Sequence, residues 1–148
     1  MENSKADRQF VSFENLECWR KCRETRNFIF ELTKKYPKEE LYALTQNTRR
    51  ASYSITSNIA EGYGRFHYQE NIQFCRQSRG SLYELQDQLI IANDNGYINS
   101  EQINLGRKLI SDSIGILNGY INFLIKEQEK GTNKKTTKTI FNFLFSIF

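Results

Sequence analysis

The chain is short of the residues that mark most other fold classes. Its 148 residues hold one proline, one histidine and three cysteines. A single proline excludes Pro-rich disorder and disfavours a loop-rich β fold. Cys18, Cys22 and Cys75 are odd in number and lack CxxC spacing, so they do not form a disulfide framework. Cys18 and Cys22 lie one helical turn apart, but a metal would need two further ligands and only His67 is on offer. They are read as small buried hydrophobes, and no metal is expected. No apolar run approaches the ~20 residues of a membrane span. The stretch MENSKADRQF has no apolar segment of the signal-peptide kind, so a reducing, cytoplasmic location is expected.

Motifs of catalysis are missing as well. HExxH, P-loop and GxGxxG patterns do not occur. His67 shares a helix turn with Glu70, which reads as an N-terminal-turn pairing. GYGR, at 62–65, follows a helix rather than a strand and reads as a cap rather than a phosphate loop. No catalytic residue is assigned, no cofactor is expected, and the chain is read as not an enzyme.

What the chain does have is charge and helical periodicity. Four of its 21 basic residues lie beyond position 129, where there is no acid. The 17 remaining bases balance the 17 acids of residues 1–129. The body is neutral and the tail basic, so any nucleic-acid surface must come from local clustering. Apolar residues recur at spacings of 3 and 4 in four long segments, and no alternating strand pattern appears. The first segment, about 13–36, has a seam of Cys18, Cys22, Thr25, Ile29, Leu32 and Tyr36, widened by Trp19 and Phe30, and ends at Pro37. The second, about 38–62, uses Leu41, Leu44, Thr48, Ala51, Ile55 and Ile59. Gly62 and Gly64 are expected to close it in the left-handed conformation. The third, about 67–95, uses Cys75, Ser78, Leu82, Leu85, Leu89 and Ala92, with Gly96 just past its end.

The fourth segment, about 100–129, is opened by Ser100 as N-cap. It has one seam from Ile103 to Leu124 and a second apolar row that includes Leu109, Ile116 and Phe123. One bundle core needs only about a 100° stripe. The surplus points to a subunit contact, or to deeper burial within the same bundle. Short links make the helices antiparallel neighbours. The fold expected is all-α, an up-down-up-down antiparallel four-helix bundle over 13–129. An N-terminal extension (1–12) precedes it, and a basic linker with an apolar tail (130–148) follows.

Polar residues are patterned too. Gln46, Arg50, Ser54, Ser57 and Glu61 recur at 4, 4, 3 and 4 beside the apolar seam, and the third helix offers Gln77, Ser81, Glu84 and Gln88. The two rows either pair across a helix interface, with Arg50 and Glu84 as the ion pair and Asn58 fixing register, or form solvated faces. Arg49, Arg65, Arg76 and Arg79 are the candidate nucleic-acid contacts. Tyr63, Phe66, His67 and Tyr68 interleave with them, because phosphates need cations and unpaired bases need stacking partners. Arg20, Lys21, Arg23 and Arg26 add to the basicity, with Glu17 and Glu24 close enough to pair with some of them.

The segment RRASYSITSNIAEG, at 49–62, resembles the signature of the four-helix-bundle proteins encoded in intervening sequences of bacterial 23S ribosomal RNA. Further matching positions are Leu16, Trp19, Pro37, Glu40, Tyr42, Leu44, Gln46, Phe74, Gly80, Ser81, Glu84, Gln88, Gly96 and Tyr97. Arg79 departs from the pattern, where a small residue is more usual. The family in turn is similar to the accessory variability protein of diversity-generating retroelements. That resemblance implies a non-catalytic homopentamer whose partners are structured RNA, a reverse transcriptase or another protein.

Overall fold

The periodic apolar seams become the interior. Every residue of the first seam is buried, from Cys22 at 0% exposure to Tyr36 at 7%, and the third seam is wholly enclosed. The computed structural model describes residues 12–145, with side chains described for 12–132. Four helices follow one another: α1 Glu17–Thr33, α2 Leu44–Gly64, α3 Tyr68–Asp94 and α4 Ser100–Phe145. Single 3₁₀ turns lie at Phe13–Asn15 and Lys38–Glu40, and no strand occurs among the described residues. The expected N-terminal extension falls almost entirely outside the described residues.

Cross-helix contacts fix the topology. α1 meets α2 through Arg26 with Thr56 and through Thr33 with Arg49. α2 meets α3 through Arg50 with Glu84 and Ile55 with Ser78. α3 meets α4 through Asn71 with Tyr120 and Arg79 with Asn118, and α4 returns to α1 through Ser113 with Thr25. Residue numbers rise on one helix as they fall on its neighbour. The result is the expected up-down-up-down four-helix bundle.

Local chemistry explains the ends. α3 closes in a Schellman motif: Gly96 has φ +73°, the Tyr97 amide donates to the Ala92 carbonyl at 2.8 Å, and the Gly96 amide to that of Asn93 at 3.0 Å. α4 opens one residue earlier than expected. Asn99, not Ser100, is its cap, in a reciprocal box in which Asn99 Oδ1 accepts from the Gln102 amide and Gln102 Oε1 from the Asn99 amide. The start of α2 also differs. Residues 38–43 form tight turns, and Glu40 caps the helix by accepting from the Leu44 amide at 3.1 Å, which leaves Leu41 47% exposed instead of in the seam.

The glycines that end α2 act otherwise than expected. The residue with positive φ is Phe66 (57°), not a glycine. Gly62 instead serves packing: a Cβ there would stand 2.9 Å from both Asn71 Oδ1 and Phe74 Cβ and 3.2 Å from Asn71 Cα. It lets α2 and α3 close together at their shared turn.

The largest departure is α4. It was expected to end near Glu129 and give way to a linker, yet it continues to Phe145. A single glycine, Gly131, costs a helix only about 1 kcal/mol, and no proline follows it. Thr132 turns its hydroxyl to the Gln128 carbonyl at 3.1 Å, a bond within the helix that does not stop it. The second apolar row of α4 is largely taken up by its own bundle. Ile121 is buried, and Ile114, Ile116 and Ile125 pack partly buried against the core. Phe123 of that row remains about half exposed, as does Leu105 outside it.

Candidate nucleic-acid interface

Two surfaces carry the patterned polar residues, and they differ in chemistry. The first is the α2–α3 seam. The expected ion pair forms, with Arg50 Nη2 3.4 Å from Glu84 Oε1, both side chains substantially exposed. Deeper in, the Ser54 and Ser81 hydroxyls share a bond of 2.9 Å, and buried Ser78 donates to the Ile55 carbonyl at 2.6 Å. Gln88 donates to Glu84 from a buried position. Asn58 does not reach across the interface. Its amide donates to the Ser54 carbonyl and hydroxyl one turn back, because that shorter path satisfies it within α2. Glu61 pairs with Arg65 one turn on, at 2.8 Å, rather than with α3. Gln46 is exposed. Each such bond contributes about 1 kcal/mol, whereas burying one Leu or Ile side chain contributes about 1.5–3 kcal/mol. The seam therefore sets the register of two helices that the apolar core holds together.

The four arginines singled out from the sequence are not gathered into one patch. Arg49 faces α1, donating to Thr33 Oγ1 at 2.9 Å and stacking over Phe30. Arg79 faces α4 and donates to Asn118 Oδ1 at 2.8 Å. Arg65, at the α2–α3 turn, is held by Glu61 and lies over the Phe74 ring. Arg76 is exposed on α3. Arg49 and Arg79 thus lie on opposite sides of the bundle, each spanning a helix pair. Phe66, His67 and Tyr68 are exposed at the α2–α3 turn, and His67 is the N-cap of α3 without a side-chain cap bond.

The second surface is the outer face of α1 and α2. Arg20, Arg23 and Arg26 recur every third residue. The Arg20 Nε donates to the Glu14 carbonyl at 2.8 Å, Arg23 lies 5.8 Å from the centre of the Trp19 ring, and Arg26 donates to Thr56 Oγ1 at 3.0 Å. Among the described residues no carboxylate forms an ion pair with any of the three. The acid best placed to do so, Glu24, is taken by Lys21 at 2.9 Å; that bond raises the lysine's pKa, and Lys21 also reaches Asp112 at 4.0 Å.

Three shallow grooves of about 740, 470 and 660 Å³ cross this face. The first lies along α1 and shares Trp19 and Arg26 with the second, which sits at the α1–α2 junction. The second shares Tyr53 and Ser57 with the third, on the outside of α2, whose walls include Tyr42, Arg49 and Arg50. Together they make one continuous track of guanidinium and aromatic side chains. The sequence names the arginines of α1 and places Glu17 and Glu24 close enough to pair with some of them. Two spacings bear on that pairing: Lys21 stands three residues before Glu24 and competes for it, and Trp19 stands four before Arg23.

The interior offers no comparable chemistry. Cys18, Cys22 and Cys75 are free and buried, and burial pushes each thiol up to about 12, so they are protonated and unreactive at neutral pH. No cluster of potential metal ligands occurs among the described residues. No described helix is long and apolar enough to cross a membrane.

The sequence matches the family model of the 23S rRNA-intervening sequence protein over residues 14–119, which spans α1 to α3 and the first part of α4. No curated protein matches the chain. The chain belongs to the 23S rRNA-intervening sequence protein family.

Proposed function

We propose that this member of the 23S rRNA-intervening sequence protein family is a non-catalytic, cytoplasmic, homo-oligomeric accessory module that associates with RNA. The observation that carries the reading is the outer face of α1 and α2. Arg20, Arg23 and Arg26 stand there without a carboxylate partner among the described residues, beside Trp19. On helical bundles charged rows are usually laced with opposite charge. Guanidiniums left unneutralised beside aromatic rings suit phosphate and base recognition. The oligomer is taken to be a pentamer, by the resemblance of the 49–62 motif to the accessory variability protein. Half-exposed Leu105 and Phe123 on α4 supply apolar surface for a subunit contact.

Electrophoretic shifts with structured ribosomal RNA fragments at two salt concentrations test the RNA association. Phosphate-driven binding must weaken steeply as salt rises. No shift at micromolar protein and low salt would sink it. Light scattering tests the oligomer, and a monomeric mass removes both the pentamer and the resemblance-based part of the function.

A second reading is a protein-interaction scaffold, with a reverse transcriptase or another protein as partner and no direct contact to nucleic acid. Exposed Leu105 and Phe123 favour it. It predicts partner capture that survives alanine at Arg20, Arg23 and Arg26.

A further inference from the structure

We infer that the α1–α2 track is a binding site for an unpaired RNA strand, with bases stacked on Trp19, Tyr53 and Tyr42 and phosphates on the arginines beside them. The inference rests on the RNA association proposed above and specifies its ligand class and location.

Aromatic placement favours a single strand over a duplex. Tyr42, in the turn before α2, is 85% exposed, and Tyr53, on α2 itself, is 49% exposed. Neither ring is needed for the core. Trp19 is held more firmly: Phe13 meets it edge-on, with centroids 5.3 Å apart, and Arg23 lies over it. One ring therefore stands in each part of the track, with guanidiniums between: Trp19 where the first two grooves join, Tyr53 where the last two join, and Tyr42 in the third. A duplex keeps its bases stacked on one another and would meet only the charges. An unpaired strand offers both phosphate and exposed base faces, and so uses both sets of side chains.

The surroundings agree in charge. The groove along α1 sets Arg20, Arg23 and Arg26 against two acids, Glu24, which is paired with Lys21, and Glu14, which forms no ion pair among the described residues; Arg50 has Glu84 as a counter-charge only at 3.4 Å on an exposed edge. Arg49 stacks over Phe30 and donates through Nε. Its remaining guanidinium nitrogens have no protein partner among the described residues. Ser57 and Gln46 add hydroxyl and amide groups to the groove walls. None of these groups makes a rigid base-specific pocket. Stacking on exposed rings tolerates any base, so the site is expected to take unpaired segments with little sequence preference.

Trp19 is the chain's only tryptophan, so its fluorescence reports on the track directly. The full-length protein is titrated at low salt with an unstructured oligonucleotide of about twelve nucleotides and with the same sequence in a duplex, following both oligonucleotide anisotropy and tryptophan emission. The expected result is tighter binding of the single strand, with emission quenched in step with anisotropy. Tyr53→Ala should weaken single-strand binding about tenfold, the usual loss on removing one base-stacking ring, and Tyr42→Ala should also weaken it. Duplex binding should be nearly unchanged in both. Tyr83→Ala, an exposed ring on α3, should change nothing. These tyrosines lie outside the core, and circular dichroism of each variant confirms folding. Equal binding of single strand and duplex, or binding without a change in Trp19 emission, overturns the site while RNA association stands. Absence of binding to any RNA at low salt overturns both.

Discussion

The α2–α3 seam and the α1–α2 outer face are built from the same kinds of residue, arginine, serine and an occasional acid, yet they end in opposite states. In the seam the polar groups meet protein partners: Ser54 with Ser81, Ser78 with the Ile55 carbonyl, Arg50 with Glu84. On the outer face Arg20, Arg23 and Arg26 meet a carbonyl, a ring and a hydroxyl, and their charge is not neutralised by a carboxylate among the described residues. Patterned polarity alone does not identify a binding surface. What separates architecture from recognition is whether the fold itself consumes the charge.

The strongest way to break this contrast is to remove the unneutralised charge. The triple substitution Arg20→Ala, Arg23→Ala, Arg26→Ala should lower RNA affinity by more than tenfold and reduce the slope of log K against log salt by about 2, close to 0.7 per lost contact to a single strand. Its thermal midpoint should fall only slightly, since the side chains lie on the surface. An unchanged salt slope would show that the outer face is as inert as the seam.

Next in size is a change at the end of the seam. Gly62→Val places new atoms against Asn71 and Phe74, where a Cβ alone would come within 2.9 Å of both, so α2 and α3 must move apart. Overpacking of this kind should cost about 1–3 kcal/mol in urea denaturation. If the variant is as stable as the parent, Gly62 is not a packing glycine.

The interior beneath both surfaces gives a pH test. Cys18, Cys22 and Cys75 lie near the ordinary thiol value of 9.0 when unfolded and at about 12 when folded. Below pH 9 both states keep these protons and the thiols leave stability unaffected. Between 9 and 12 only the unfolded state releases them, so stability falls as pH rises. Tyr36 and Tyr120, moved by burial from 10.0 to about 12, add to the fall. Urea midpoints at pH 8 and pH 10.5 should differ in that direction, and a midpoint flat with pH would mean that the thiols are not buried in solution.

The smallest effect belongs to the most visible ion pair. Arg50→Ala should change stability by less than about 1 kcal/mol, because the pair is exposed and long. Ser78→Ala, which leaves the Ile55 carbonyl without its buried donor, should cost more than Arg50→Ala does. The reverse ranking would mean that the seam is held from its rim.

Much of this was legible in the chain. The seams of α1 and α3 are buried residue for residue, and Gly96 closes α3 as its position suggests. Leu41 breaks the pattern because the Glu40 carboxylate caps α2 at Leu44, about six residues later than periodicity implies. α4 runs past its expected end because nothing in its Lys- and Thr-rich stretch forbids a helix, although that stretch has the composition of a linker. Less of the candidate interface was legible. The chain showed where arginines are dense, but not which of them the fold would engage. Arg49, Arg79 and Arg26 tie helices together, and the α1 arginines, which Glu17 and Glu24 stand close enough to pair with in part, form no ion pair among the described residues, with Glu24 held by Lys21.

The sequence by itself determined the helices, their apolar faces and the family. Those rest on spacing along one chain, and a 3.6-residue period needs no knowledge of neighbours. Only the tertiary structure decided which charges are spent. An arginine's partner can come from another helix, as those of Arg26 and Arg49 do, and the groove that joins the other two exists only where α1 and α2 meet. The track from Trp19 across Tyr53 to Tyr42 belongs to α1 and α2 together, and neither helix alone contains it.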